Sequence, residues 1–151
     1  MSGEFDFITT SDRPALLGIS STEVLEAIQS AVGQLGFKVH TTQNHGEFLH
    51  RYNQIGYNLA VIEENFSGGT LETNESLLSL QQLTMSNRRQ TVVVLIGQTF
   101  ATFNPIQAYQ YGVHAVLHPN EMFLAQQLIE KAVADNDLFM HTFRDALRRL
   151  A

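Results

Sequence analysis

Short apolar runs and helical apolar stripes alternate along this chain. Residues 14–19 (PALLGI) form a continuous apolar run, the pattern of a strand covered on both faces. The run ends in Ser20-Ser21-Thr22-Glu23, which reads as a capping box with Ser20 at the N-cap and Glu23 three residues on. Val24, Leu25, Ile28, Val32 and Leu35 then recur at helical spacing, and Gly36 is placed to stop that helix. Residues 37–41 read as a second short strand. Asn44 and Glu47 read as a cap and its partner, opening a helix with Phe48, Leu49, Tyr52 and Ile55 on one side. Residues 59–62 are wholly apolar and run into Glu63-Glu64-Asn65. A polar, glycine-containing loop over 65–73 leads to Asn74, a cap for a helix carrying Leu77, Leu78, Leu80, Leu83 and Met85 and ended by Asn87-Arg88-Arg89. Residues 92–96 (VVVLI) are the strongest strand signal. Residues 105–111 read as a short helix with Pro105 in its first turn and Gly112 as its stop. Residues 113–117 give a fifth strand ending at His118-Pro119, and Asn120 is placed to cap a last, long helix.

Five strands alternating with five helices predict an α/β domain with a parallel sheet, helices on both faces and right-handed crossovers. In open sheets of this kind, ligands bind at the carboxyl ends of the strands. That directs attention to Ser20, Ser21, Glu63, Glu64, Gly97 and His118. The 151 residues fit one domain, with residues 1–13 read as a flexible N-terminal segment. Nine Lys and Arg against fifteen Asp and Glu leave a net charge of −6, which disfavours a nucleic-acid surface. Without cysteine there is no disulfide scaffold, thiolate metal site or cysteine nucleophile. No apolar run approaches the roughly 18 residues of a membrane span, and residues 1–13 lack the features of a secretory signal. These features predict a cytoplasmic location with neither nucleic acid nor membrane as partner.

Three segments, in order and spacing, resemble a bacterial response-regulator receiver domain (CheY-like) over roughly residues 14–136. Leu16-Leu17-Gly18-Ile19-Ser20-Ser21 is similar to the strand that ends in a pair of acids. Tyr57-Asn58-Leu59-Ala60-Val61-Ile62-Glu63 is similar to the strand that ends in the phosphoacceptor aspartate. Residues 108–119 (AYQYGVHAVLHP) are similar to the fourth helix, the glycine turn and the strand ending in Lys-Pro. The resemblance implies a doubly wound five-stranded sheet of the flavodoxin-like or CheY-like order 2-1-3-4-5, here with an extended C-terminal helix.

The departures from the family pattern are chemical. The resemblance implies that an acid pair and the acceptor aspartate hold Mg²⁺, while a Thr or Ser after the fourth strand and the Lys bind the phosphoryl group. Here the acid pair is Ser20-Ser21, and neutral hydroxyls are poor ligands for a cation that takes carboxylate oxygens. The acceptor position is Glu63, one methylene longer than Asp, and a misplacement of about 1 Å costs on the order of a hundredfold in rate. A register slip of one residue would put Glu64 there instead. Gly97 stands at the hydroxyl position and His118 at the Lys position. The resemblance thus implies a degenerate pocket, a pseudo-receiver with no bound Mg²⁺, no cofactor, no metal and no catalytic residue. Within that reading, Glu63 is a built-in mimic of the phosphorylated state with His118 as its partner. Two alternatives stay open: a non-standard phosphoacceptor receiver, and a small-molecule or flavin-binding domain of the same fold using Phe66 and Phe100.

With the pocket inert, function passes to protein contacts. The resemblance points to the face of the fourth helix, fifth strand and fifth helix, where Phe103, Ile106, Tyr109 and Tyr111 are too many large groups for one short helix to bury. The last helix adds a second surface. Leu124, Leu128, Ile129, Ala132 and Val133 fit a stripe against the sheet, and Asp135-Asn136-Asp137 interrupts it. Over 137–151, an extension of the helix, Leu138, Phe139, Met140, Phe143, Ala146, Leu147 and Leu150 resume at helical spacing. This stripe predicts a partner helix, from an output domain or from a second copy in a homodimer.

Overall fold

The computed structural model describes residues 13–82 and 91–150, without the side chains of residues 139, 140, 143 and 144. The expected contributions of Leu83, Met85 and the helix stop at 87–89, like residues 1–12, lie outside the described residues. Five strands, β1 (Pro14–Gly18), β2 (Lys38–Thr42), β3 (Leu59–Glu63), β4 (Val92–Ile96) and β5 (Ala115–Leu117), form one parallel sheet in the order β2-β1-β3-β4-β5. The helices are α1 (Thr22–Gln34), α2 (His45–Gln54), α3 (Glu75–Gln81), α4 (Pro105–Tyr111) and α5 (Ala125–Leu150). Short 3₁₀ turns lie at Phe66–Gly68 and Pro119–Leu124. The doubly wound fold and its strand order are therefore as expected.

The two-residue period of each strand sorts the sheet's side chains into two cores. Ala15, Leu17, Leu59, Val61, Val94, Ile96, Ala115 and Leu117 pack against Val24, Ile28 and Val32 of α1 and Ala125, Ile129 and Ala132 of α5. Leu16, Ala60, Ile62, Val93, Leu95 and Val116 pack against Phe48 of α2, Leu77 and Leu80 of α3 and Ala108 of α4. The same alternation carries Glu63 out of β3 on the first face and Glu64 onto the second.

Several element ends differ from the sequence pattern. β1 stops at Gly18 and α1 begins after Ser21, whose side chain makes no capping bond, so the Ser20–Glu23 box does not form. The Glu63 carboxylate takes its place. Asn44 and Asn74 do cap α2 and α3, accepting from Glu47 and Leu77 N–H at 2.8 and 3.0 Å. β5 begins only at Ala115, because the His114 ring accepts the Val93 N–H at 2.9 Å through Nδ1. Gly112 ends α4 in the left-handed region, φ 66°, where a Cβ would be strained. Asn120 does not cap the last helix. The His118 ring caps the Pro119–Leu124 turn by accepting the Asn120 N–H at 3.0 Å, and α5 starts five residues after Asn120.

Asn74 does more than cap. Fully buried, its Nδ2 donates to the Glu63 carbonyl at 3.1 Å and to the Glu64 carbonyl at 3.3 Å, tying α3 to the end of β3. Asn74→Ala removes a cap and leaves buried carbonyls unpaired, so it is expected to cost about 2–4 kcal/mol in urea unfolding. Asn44→Ala, which opens an exposed cap bond only, is expected to cost about 1 kcal/mol.

Candidate functional site

The carboxyl ends of β1, β3 and β4 open onto a cleft of about 610 Å³. Ser21, Glu63, Glu64, Glu72, Gly97, Thr99 and Pro119 are among its lining. Of the residues expected at the strand ends, Ser21, Glu63, Glu64 and Gly97 line this cleft, and the two carboxylates are engaged within the chain.

Glu63 is the last residue of β3 and only 5% exposed. Its Oε1 accepts the backbone N–H groups of Ser20 at 2.9 Å and Ser21 at 3.0 Å. A buried carboxylate needs such donors, and these two stand at the start of α1, where the helix dipole favours negative charge. Glu63 thus occupies the capping role that the sequence assigned to Ser20. Ser20 is exposed, and its hydroxyl accepts the Ser67 N–H at 2.8 Å, tying the β1–α1 turn to the β3–α3 loop. Ser67 holds φ 62°, a backbone strain that this bond helps to fix.

Glu64 turns the other way. Its Oε2 accepts the Thr99 hydroxyl at 2.8 Å and its Oε1 accepts the Thr99 N–H at 3.1 Å. The carboxylate lies directly over Gly97. A Cβ built on Gly97 would overlap the Glu64 carboxyl group and stand 2.6 Å from its Cγ. The missing side chain at Gly97 and the presence of Glu64 are one structural fact: the acid fills the space that a residue with a side chain would take. Beyond Thr99 the loop is held at each step. Gln107 Nε2 donates to the Thr99 carbonyl at 3.1 Å, and its Oε1 accepts the Ala101 N–H at 2.8 Å. The Thr102 hydroxyl accepts the His118 N–H at 2.9 Å, and Phe103 N–H donates to the Val116 carbonyl at 2.8 Å.

The expected pairing of Glu63 with His118 does not form. The half-buried His118 directs Nδ1 to the Asn120 amide two residues on, and no hydrogen bond or ion pair joins it to Glu63. A local side-chain cap has displaced the long-range contact. The aromatic groups suggested for a flavin are not offered to the cleft either. Phe66 and Phe100 are buried in the second core.

The expected interaction residues separate by exposure. Ile106 is 75% and Tyr109 89% exposed on α4, and Leu147 and Leu150 are exposed on α5. Phe103 and Tyr111 are half-buried. Phe103 sits at φ 59° against the first core with the Lys131 ammonium over its ring, and Tyr111 meets Phe100 edge-on. The side chains of Phe139 and Phe143 lie outside the described residues. Phe123, 82% exposed beside the root of α5, belongs with this group. Sequence reasoning passed over it and over Thr99, and read Asn74 as a cap without its bonds to the end of β3. The Glu-Glu pair before a polar loop and the lone glycine after β4 were the available signals for the second carboxylate.

No protein-family model and no curated protein matches this sequence. Solved structures do match. A response regulator from Thermotoga maritima is 15% identical, covering 82% of this chain and 98% of that one with a TM-score of 0.61. A CheY-like receiver domain protein from Methanospirillum hungatei is 16% identical, covering 84% and 98% with a TM-score of 0.63. A fusion carrying a trimeric coiled-coil segment of yeast Spc42 is 13% identical, covering 95% and 91% with a TM-score of 0.63. The fold is that of CheY-like receiver domains. At these identities the likeness is one of fold.

The contact between Gly97 and Glu64 is testable by a double-mutant cycle. Gly97→Thr is expected to destabilise the protein by about 1–3 kcal/mol through overpacking. In a Glu64→Ala background the same change should cost at least about 1 kcal/mol less, as contacting residues couple. Denaturant midpoints of the four proteins measure this.

Proposed function

We propose that this chain is a receiver-fold regulatory module of bacterial signal transduction that works by protein contact, without phosphoryl transfer and without catalysis. One observation carries this reading: the carboxylates at the strand ends are already bound within the chain. Glu63 Oε1 holds two backbone amides and Glu64 spans both donors of Thr99. Among the described residues the cleft lining includes three acids, Glu63, Glu64 and Glu72, and no Lys or Arg, which disfavours a phosphate or a phosphodonor there. Ser20 and Ser21 supply amides to Glu63 in place of the carboxylates that a Mg²⁺ ion takes. The same arrangement makes Glu63 a fixed structural anion. Glu64, bonded to the β4–α4 loop, is the closer counterpart of a permanent signal-state ligand.

The output surface in this reading is the exposed apolar group on α4, Ile106 and Tyr109, together with the outer part of α5. Exposed aromatic and aliphatic side chains in a poorly charged setting favour protein contact. The partner is an output domain or a second copy, met through the exposed outer part of α5. No described helix is long and apolar enough to cross a membrane, and a cytoplasmic location is part of the same proposal.

The direct chemical test is incubation with Mg²⁺ and acetyl phosphate, followed by intact-mass measurement under conditions that preserve acyl phosphates. No phosphoryl adduct is expected. An adduct on Glu63 or Glu64 that forms with saturable kinetics would establish the non-standard phosphoacceptor instead.

A further inference from the structure

The last helix has two halves with different surroundings. In the inner half, Ala125, Ile129 and Ala132 are buried against the sheet, with Leu128 and Val133 half-buried beside them. The helix then continues unbroken to Leu150. From Asp137 onward the described side chains are exposed, apart from half-buried Asp145, and they include Leu138, Leu147 and Leu150. At about 1.5 Å per residue this outer half reaches roughly 20 Å past the domain edge.

The spacing of the inner stripe does not stop at that edge. Positions 125, 129, 132, 136, 139, 143, 146 and 150 alternate steps of four and three, the seam of a heptad pattern. The first three positions are covered by the chain's own sheet. The last four are Phe, Phe, Ala and Leu in the sequence, beyond the sheet's reach. Asn136 stands half-buried at the crossover between the two settings.

Charge is unevenly divided along the same half. Asp135 and Asp137 stand at its root, and Arg144, Arg148 and Arg149 toward its tip. Lys131 pairs with Asp135 at 2.7 Å, and Arg148 approaches Asp145 at 3.7 Å. Asp135 and Arg149 each stand one position before a seam residue, 136 and 150, so both flank the seam on the same side, and both are exposed. At the root there is also a groove of about 260 Å³ lined by Phe103, His114, Ala132, Asp135 and Asn136.

We propose that the occupant of this stripe is a second copy of the chain, with the two outer halves of α5 packed antiparallel about a two-fold axis. This names the partner of the helix surface in the reading above and rests on that reading. The charge division selects the direction. Parallel helices would set acidic root against acidic root and basic tip against basic tip. Antiparallel helices set each basic tip beside the other copy's acidic root, twice by symmetry, and bring Asp135 alongside Arg149 on the same side of the seam. The same direction carries Leu150 of each copy to the level of the other copy's root groove, where an apolar wall and Asp135 suit a Leu–Arg tip. The interface is closed and isologous, so it makes a dimer and no larger array.

The absence of cysteine makes a clean test possible. Asp135→Cys and Arg149→Cys are made singly at these exposed positions, and unchanged helical circular dichroism verifies folding. Each is equilibrated alone and as a mixture in a glutathione redox buffer. The mixture is expected to give several-fold more cross-linked dimer than either variant alone, and the parent chain is expected to sediment as a dimer. Arg148→Glu with Arg149→Glu is expected to shift that mass to the monomer. A monomeric parent at tens of micromolar, single variants that link to themselves as well as the mixture does, or a dimer in which no pair links would each overturn the proposal. A monomer with no response to Mg²⁺ and beryllofluoride would sink the pairing alone, whereas a responsive dimer would sink the phosphorylation-independent reading alone.

Discussion

A carboxylate buried at the end of β3 has to be satisfied where it stands, and the geometry of the cleft follows from how that is done. Glu63 is set on the first face of the sheet by strand alternation, next to the start of α1. Two backbone amides of the β1–α1 turn converge on one of its oxygens. An ionised group removed from water without donors would be unfavourable by several kcal/mol. The turn therefore closes onto the acid, β1 ends at Gly18, and the helix begins with its first amides already directed at a fixed anion. The serines at 20 and 21 serve this arrangement through their backbone more than through their side chains.

The second carboxylate extends the same logic to the opposite face. Glu64 can reach Thr99 only by crossing the space above Gly97, and it can cross only because residue 97 has no side chain. The β4–α4 loop is then fastened from Thr99 through Gln107 to Thr102, whose hydroxyl accepts the His118 N–H just past β5, and to Phe103, whose N–H donates to Val116 of the edge strand β5. A chain of contacts within the protein thus joins the end of β3 to the α4–β5 region. In a switch, such a connection would be made and broken. In the proposed reading both ends are groups of the chain itself, and these contacts hold one standing conformation with the exposed side chains of α4 on display.

Much of this architecture was legible in the sequence, for a physical reason. Buried parallel strands need uninterrupted apolar runs, so residues 14–18, 59–62 and 92–96 stand out, and the asparagine caps at 44 and 74 sit where helices must satisfy their first amides. Contacts between distant segments were less legible. Ser20-x-x-Glu23 has the form of a capping box, yet a long-range carboxylate takes the amides. His118 sits at a strand end suited to a long-range partner, yet its ring finds a nearer amide at Asn120. Gly97 reads as the loss of a functional group, and only the fold shows that Glu64 fills the space. Local patterns specify what a segment can do, and tertiary competition decides which donor each acceptor meets.

The central claim is that the cleft is closed by its own carboxylates. Backbone amide NMR during titration with Mg²⁺ and then beryllofluoride addresses this most directly, because Ser20, Ser21, Gly97 and Thr99 all report from the cleft through their N–H groups. The account predicts no saturable shifts at these amides. Saturable shifts there, spreading through residues 97–104 into α4 and β5, would show that the internal bonds yield to a ligand and that a working switch survives.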